Sequence, residues 1–524
     1  MKIERTKNAS RNLLHGVFLR IYSIVMPFVM RTVIIYALGG QYIGLNGLFT
    51  SILQVLNLAE LGVGSAMVYS MYKPIVEDDT ATICALMRLY RKYYRFIALV
   101  VMVGGLIVLP FLPYLVKADT VPSDINLYVL YLLNLSATVA SYCLFAYKNC
   151  LLLAFQRTDI ESRVSIAVST VSYTIQIVLL FLMRNYYVYT LILVVSNLVT
   201  NLVTAFVVDR LFPKYHPKGN ISTEETKAIH KRVRDLFTAK LGGTITGSAD
   251  TIVISAFLGL YDLAVYQNYY FIMNAVISFV FVVFNSVIAG IGNSLVVEST
   301  EKNYLDFRKL SFLINWITII AVSCFMCLYQ PFIKLWVGEK YILKYPFVIL
   351  FCVYFYVIVV QQLACVYKDA GGIWHQDRWR PLLTGITNLG LNLLFVQKFG
   401  LYAILLSTIL SYIVVAMPWL IHNLFTTVFY RKPTGYVLFV LVGFVASLSI
   451  GTICYYVCSF ISIQPVLDIV LKFIICVVLS NLIIILLYRK HCLYNQMLDL
   501  VDNVFNGRMH DIILMLKTKD KKRE

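Results

Sequence analysis

Long apolar stretches, separated by short polar connections, dominate the pattern of this chain. An apolar stretch of about 20 residues is long enough to cross the hydrocarbon core of a bilayer as a helix. The pattern predicts about fourteen such spans, with ends defined to within several residues. They lie at 17–38, 43–72, 96–116, 125–150, 163–183, 188–209, 236–258, 265–292, 310–330, 347–367, 381–396, 401–421, 435–459 and 467–488. The turn Arg184-Asn185-Tyr186-Tyr187 is one of several tight connections that predict antiparallel helical hairpins.

Composition leads to the same class. The chain has 524 residues, of which 60% are hydrophobic and 14% are charged, whereas soluble domains carry roughly 25% charged residues. A soluble fold of this size does not have enough interior to hide so much apolar surface. The first apolar stretch, 17–38, is longer than the roughly 7–15 residues of a signal-peptide core, so we expect a membrane helix there. The sequence therefore predicts an all-α polytopic membrane protein.

Basic residues predict the orientation of the chain. The formal net charge is +18, but no zinc-finger spacing or other nucleic-acid module accompanies it. With a cytoplasmic N-terminus, 35 of the 45 Lys and Arg residues lie on the inner side or at inner helix ends, and 6 lie in outer loops. This asymmetry is the usual positive-inside pattern. It predicts cytoplasmic termini, a cytoplasmic linker at 211–235 and a basic amphipathic tail at 489–524.

Two sequence echoes indicate an internal repeat. Leu38-Gly39 through Leu45 matches Leu258-Gly259 through Val265 at an offset of 220 residues, and Arg157-Thr158-Asp159 matches His375-Gln376-Asp377 at an offset of 218. An even-numbered unit enters the membrane from the same side each time, so these echoes predict two parallel six-helix lobes around a central cavity. The predicted lobes are 1–210 and 236–421, followed by two additional helices at 435–488.

Ionisable residues within spans are costly and are therefore functional candidates. Arg20 and Arg31 lie eleven residues apart in the first span, on one face and about 16 Å apart along the axis. The repeat offset carries Arg20 onto Lys240. We expect these three cations to line the cavity as substrate-binding groups. The alternative for Arg20 and Lys240 is that they extend to the cytoplasmic interface.

Two acidic residues lie in other spans. Glu60 and Asp250 are each candidates either for an ion pair, with Arg31 as the partner, or for a site that binds a coupling H⁺ or Na⁺. Both interpretations stay open at this level. Beyond such coupling ions the sequence predicts no cofactor.

The segment Tyr266, Gln267, Asn268 and Tyr269 combines aromatic faces with hydrogen-bonding groups, which suits contacts to a sugar or an interfacial aromatic belt. The eleven Cys residues are scattered singly, and we interpret them as small apolar packing residues. A metal site would need more ligands that converge. No nucleophile, metalloprotease or phosphate-loop motif is present in the sequence, so we expect a protein that is not an enzyme.

A family resemblance rests on several short segments. They are Leu38-Gly39 with Tyr42 through Leu48, Leu58 through Gly62, Tyr72-Lys73-Pro74, Leu89 through Tyr94, Asp250 through Ser255, and Asp377 through Pro381. The chain resembles the polysaccharide-flippase (Wzx-type) branch of the multidrug/oligosaccharidyl-lipid/polysaccharide exporter superfamily. None of these segments is a catalytic signature.

The resemblance implies a function. Such a protein moves an undecaprenyl-pyrophosphate-linked oligosaccharide across the bacterial inner membrane for O-antigen, capsule or a related polymer, by alternating access. Its partners would be this lipid-linked substrate, membrane lipid and polysaccharide polymerase or assembly proteins, with no nucleic acid. Two alternatives remain: an ion-coupled multidrug antiporter of the same fold, and a membrane glycan polymerase or ligase.

Overall fold

The computed structural model describes residues 5–60, 62–489 and 492–504. Within these ranges the chain forms α-helices and short 3-10 and π-helical turns, and it forms no β-strand. The predicted all-α class is confirmed. The predicted basic tail after residue 504 lies outside the described residues.

Twenty α-helices make up the described part of the chain. They are α1 (Arg5–Ala37), α2 (Gly40–Leu56), α3 (Val63–Val76), α4 (Thr80–Val108), α5 (Leu112–Leu115), α6 (Leu127–Cys143), α7 (Asn149–Ala154), α8 (Thr158–Met183), α9 (Tyr186–Leu211), α10 (Thr223–Val253), α11 (Leu260–Val297), α12 (Thr300–Val337), α13 (Tyr345–Ala370), α14 (Trp374–Asp377), α15 (Arg380–Phe399), α16 (Leu401–Ser411), α17 (Met417–Thr427), α18 (Thr434–Ser459), α19 (Pro465–Tyr488) and α20 (Cys492–Val504).

The number of membrane spans is lower than the sequence pattern predicted. Among the described residues, eleven helical stretches are long and apolar enough to cross a membrane. The number rises to twelve if the bent pair Leu127–Cys143 and Ala146–Ala154, with an angle of 48°, is one span. The predicted total of fourteen is not confirmed.

Two predicted spans account for the difference between fourteen and twelve, and the bent pair accounts for the difference between twelve and eleven. The stretch 43–72 is interrupted, because α2 ends at Leu56, a 3-10 turn covers Asn57–Glu60, and Gly62 has a φ of 89° before α3 begins. The stretch 381–396 lies in α15, which is helical but carries Asn388, Asn392 and Lys398 among its apolar residues. A continuous apolar sequence run therefore does not guarantee a continuous helix.

Two kinds of connection between helices have the backbone conformation that their residues favour. The predicted hairpin at Arg184 and Asn185 forms, since α8 ends in a left-handed residue at Arg184 and the Asn185 side chain caps the first turn of α9. The glycines that the repeat aligns also share a conformation. Gly39 has φ and ψ of 122° and 166°, and Gly259 has 106° and 175°. These angles are accessible mainly to glycine.

Packing divides the chain into two compact units. The first comprises Met1–Gln267 with Leu389–Leu401, and the second comprises Asn268–Asn388 with Tyr402–Glu524. In the first unit α1 packs on α8, α8 on α9, and α2 on α10. In the second unit the long helix α12 packs along α13, α18 and α19. The repeat-related lobes and their boundaries stay a prediction.

In the first unit, the backbone of α2 at Gly44 lies very close to the backbone at Leu260. A Cβ atom added to Gly44 would lie 2.4 Å from the carbonyl oxygen of Leu260. Gly40 and Gly44 form the small-xxx-small spacing that lets membrane helices approach closely. Because the opposing atom belongs to the backbone, it cannot rotate away from an added side chain.

We predict that Gly44→Ala lowers the stability of the purified protein by roughly 1–3 kcal/mol, the usual cost of overpacking. Thermal unfolding in detergent measures this. The matched control is Gly243→Ala in α10, where an added Cβ meets nothing within 4 Å. Equal thermal stability of the two variants would contradict the close-approach explanation.

Candidate functional site

Arg31 is the predicted cation for which the structure gives a specific partner. It lies in α1 and is half-buried, and its Nη2 donates to Oε1 of Gln267 at 3.2 Å. Gln267 is buried, with 9% of its surface exposed. The structure thus joins a predicted cavity cation to a residue predicted for sugar contacts, a pairing that the sequence did not reveal.

Gly47 makes room for this contact. A Cβ on Gly47 would lie 1.7 Å from Nε2 of Gln267. The Gln267 amide therefore occupies the space that a larger residue in α2 would fill. The segment Tyr42 through Leu48, which carries part of the family resemblance, includes this glycine.

Asp250 and Tyr266 also come together. Asp250 lies near the end of α10, is buried, and accepts hydrogen bonds from Nδ2 of Asn392 at 2.7 Å and from the Tyr266 hydroxyl at 3.4 Å. A π-helical turn, Ile254–Leu258, follows within one turn of the helix. Such turns are frequent at functional sites. Asn392 was not predicted as a site residue.

Glu60 binds tyrosines. Its Oε1 accepts from the Tyr94 hydroxyl at 2.7 Å, and its Oε2 accepts from the Tyr142 hydroxyl at 2.6 Å. Tyr90 in turn donates to the Tyr94 hydroxyl at 3.0 Å. Among the described residues, Glu60 therefore has phenol partners where the sequence suggested Arg31. Tyr90 and Tyr94 were not predicted as site residues. Their i, i+4 spacing in α4 places them on one face of the helix and is the sequence feature that could have indicated this.

A cavity of about 1170 Å³ lies within the first unit beside this network. Glu60 and Glu161 both line it, and Asn149 donates to Glu161 at 2.8 Å. The described residues that line it include no Lys or Arg. The cavity is therefore acidic and rich in tyrosine, a combination that suits a cation or an exchangeable proton.

The other predicted cations are less defined. Arg20 lies in α1 with an exposed side chain, which fits either of the two roles considered for it. Lys240 lies in α10, and its side chain is outside the described part of the structure. A shared cavity role for Arg20, Arg31 and Lys240 stays a prediction.

The remaining predicted sugar contacts are packed inside the protein. Asn268 and Tyr269 are fully buried. The Tyr269 hydroxyl accepts from the Leu343 backbone N–H at 3.0 Å, and its carbonyl accepts from the Tyr329 hydroxyl at 3.2 Å. Contact between these side chains and a sugar would require the surrounding helices to move, and the sugar role stays a prediction.

Sequence reasoning missed two buried acid–arginine clusters at the positions of the second echo. Asp159 accepts from Arg11 at 3.0 Å and from Arg157 at 2.9 Å. Asp377 accepts from Arg380 at 2.6 Å and 2.8 Å. Burial is the largest single influence and lowers the pKa of Arg380, but the hydrogen bonds and charge of Asp377, together with Cys365 and Tyr412, outweigh it and raise that pKa. Both acids lie near the start of a helix, with an arginine within three residues.

The sequence matches no protein-family model and none of the curated proteins. The fold, by contrast, is similar to several solved transporters. A lipid II flippase, MurJ, in an inward closed conformation, is 14% identical over 90% of this chain and 98% of its own, with a TM-score of 0.60.

Multidrug transporters share the fold as well. A MATE-family transporter of the MOP superfamily in its inward-facing conformation is 13% identical over 78% of this chain and 97% of its own, with a TM-score of 0.60. The MATE multidrug transporter DinF-BH is 16% identical over 81% of this chain and 96% of its own, with a TM-score of 0.51. This chain has the fold of the MOP-superfamily transporters.

We predict energetic coupling between Arg31 and Gln267. In a double-mutant cycle of Arg31→Met and Gln267→Leu, the thermal-stability effects should deviate from additivity by roughly 0.5–3 kcal/mol, as expected for residues in contact. Gly47→Ala should mimic Gln267→Leu, because the new methyl group displaces the amide.

The control cycle pairs Arg31→Met with Tyr131→Phe, since the buried Tyr131 hydroxyl donates instead to the Gly105 carbonyl in α4. That pair should be close to additive. Additive effects of Arg31→Met and Gln267→Leu would show that the Arg31–Gln267 bond contributes nothing measurable.

Proposed function

We propose that this protein is a flippase that moves an undecaprenyl-pyrophosphate-linked oligosaccharide from the cytoplasmic to the outer leaflet of the bacterial inner membrane. The movement would occur by alternating access and would supply repeat units for a surface polysaccharide. Both termini would be cytoplasmic, and a polymerase or assembly protein would receive the product. The proposal involves no enzymatic step.

Arg31 carries the proposal. Its bond to Gln267 orients the guanidinium through a neutral amide. A pyrophosphate and a polar glycan cannot enter hydrocarbon unaided, because burying charged and polar groups without partners costs many kcal/mol. A fixed guanidinium lowers that cost by offering two parallel hydrogen bonds to phosphate oxygens.

The extent of the structural similarity supports a lipid-linked substrate. The lipid II flippase covers 90% of this chain and the two MATE transporters cover 78% and 81%. The lipid II flippase therefore matches more of this chain than either of these drug transporters does.

One observation favours a second function, ion-coupled export of cationic compounds. The cavity in the first unit presents Glu60 and Glu161 with several tyrosines and no Lys or Arg among its described lining residues. Carboxylates and aromatic faces attract cations. In a flippase the same groups would bind the coupling H⁺ or Na⁺, and Asp250 is the second candidate for that role.

Deletion of the gene tests the proposal. We predict loss of the surface polymer and accumulation of lipid-linked repeat units that remain in the cytoplasmic leaflet. Complementation with Arg31→Ala should restore little polymer at normal protein abundance, whereas the Gly243→Ala control should restore it fully.

The deletion strain could instead make normal polymer, accumulate no lipid-linked intermediates and become more sensitive to cationic compounds. That result would favour the second function. In that case Arg31→Ala should restore resistance to these compounds and Glu60→Gln should not. This result would make the acidic cavity the transport site.

A further inference from the structure

Five cysteines from three helices of the second unit lie together. They are Cys324 and Cys327 of α12, Cys454 and Cys458 of α18, and Cys476 of α19, and we call them the thiol cluster. Cys476 is at the centre, since it interacts with the thiols of Cys324, Cys327, Cys454 and Cys458. Five helices, α13 to α17, separate α12 from the consecutive helices α18 and α19 in sequence, which is why the sequence alone indicates isolated packing residues.

The geometry of three of these thiols fits a metal ion. The Sγ atoms of Cys327, Cys458 and Cys476 all lie within 4.8 Å of one another, and those of Cys458 and Cys476 are 4.0 Å apart. A metal–thiolate bond is about 2.3 Å long, so the sulfurs of a flat three-coordinate site lie about 4.0 Å apart. Only small shifts of the other sulfurs would complete such a triangle.

The surroundings determine which ion the site would accept. Cys327, Cys458 and Cys476 are buried, with 5%, 2% and 0% of their surfaces exposed. The group of three contains no carboxylate or imidazole. Hard cations such as Na⁺ and Mg²⁺ need oxygen ligands, whereas thiolates select soft ions.

Coordination number separates the soft ions. Zn²⁺ in structural sites is almost always held by four ligands in a tetrahedron, but the group of mutually close ligands here has three members. Of the two remaining thiols, Cys454 has another contact, because its Sγ lies 3.5 Å from the Ser480 hydroxyl. A three-thiol site is better suited to Cu(I).

Another soft sulfur lies nearby along the same helices. Met326 follows Cys324 and precedes Cys327 in α12, and its Sδ occupies the space that a Cβ on Gly451 would take, at 2.5 Å. Gly451 lies one turn before Cys454. The interface of α12 with α18 is therefore lined by thiols and a thioether over two successive turns.

We propose that Cys327, Cys458 and Cys476 bind one Cu(I) ion that links α12 to the hairpin of α18 and α19. Binding forms three copper–sulfur bonds as the three thiols lose their protons to solvent, so one Cu⁺ replaces three H⁺ and the site gains a net charge of −2. The copper–thiolate bonds have to offset the cost of that buried charge. The site is independent of the transported substrate, so it stands whether or not the protein is a flippase.

Metal analysis of the full-length protein tests the proposal. The protein is purified in detergent under reducing, anaerobic conditions, incubated with Cu(I), and separated from free metal. Copper per chain is then determined by mass spectrometry, and X-ray absorption identifies the atoms bound to copper. The wild type should retain about one copper ion per chain with a sulfur-only shell, and copper should raise its thermal unfolding temperature.

Variants separate a metal site from simple thiol packing. Cys476→Ser should lower the retained copper at least about tenfold and should remove the thermal shift. Cys150→Ser is the control, because Cys150 is also buried but lies on α7 of the first unit. If Cys476→Ser does not give a monodisperse protein, Cys327→Ala and Cys458→Ala replace it.

The proposal is overturned if the wild type retains no more copper than Cys476→Ser does. It is also overturned if Cys150→Ser loses copper to the same extent, or if zinc in a four-sulfur shell excludes copper from the site.

Discussion

The cost of placing charge in an apolar environment organises this protein. Several ionisable groups in the described part of the first unit have hydrogen-bond partners: phenols around Glu60, an amide and a phenol around Asp250, an amide for Arg31, and arginines around Asp159. These partners offset part of the cost of taking charge out of water, and they link the helices that carry the groups. The break between α2 and α3 illustrates this, since Glu60 lies at the end of the 3-10 turn where the helix is interrupted.

The same constraint explains how far the sequence could predict the structure. Apolar runs identify most of the spans, because their length is set by the bilayer and is readable one segment at a time. The hairpin at Arg184 and Asn185 was equally readable, since a left-handed residue and a capping Asn act locally. The 3-10 turn at Asn57–Glu60 was not, and the tyrosines of α4 and α6 that bind Glu60 there meet it only after folding.

The candidate site shows a similar limit. The sequence singled out Arg31, Glu60, Asp250 and Gln267 by residue type, but their pairing depends on tertiary contacts, such as the Arg31–Gln267 bond across 236 residues of sequence. Gly47 could not be recognised as part of the site, because its role is to leave space for an amide from another helix. The thiol cluster is the clearest example, since five separate cysteines become neighbours only when three helices pack.

The fold is similar to those of a lipid II flippase and of a MATE multidrug transporter. In the proposed function, the chemistry of the cargo follows the charge of the groups that meet it. Arg31 would bind an anionic cargo, and the cavity beside Glu60 would bind a cation. Both fit one mechanism if the anionic lipid-linked substrate and a coupling cation bind at different places.

Reconstitution tests this account most directly. The purified protein is placed in liposomes that contain a fluorescent polyprenyl-pyrophosphate oligosaccharide, and a membrane-impermeant glycosidase reports how much of the glycan becomes accessible from the other leaflet. The account predicts that the wild type accelerates exposure of the glycan and that Arg31→Ala does not. Glycan exposure equal to that in protein-free liposomes, together with Glu60-dependent transport of a cationic dye, would contradict it.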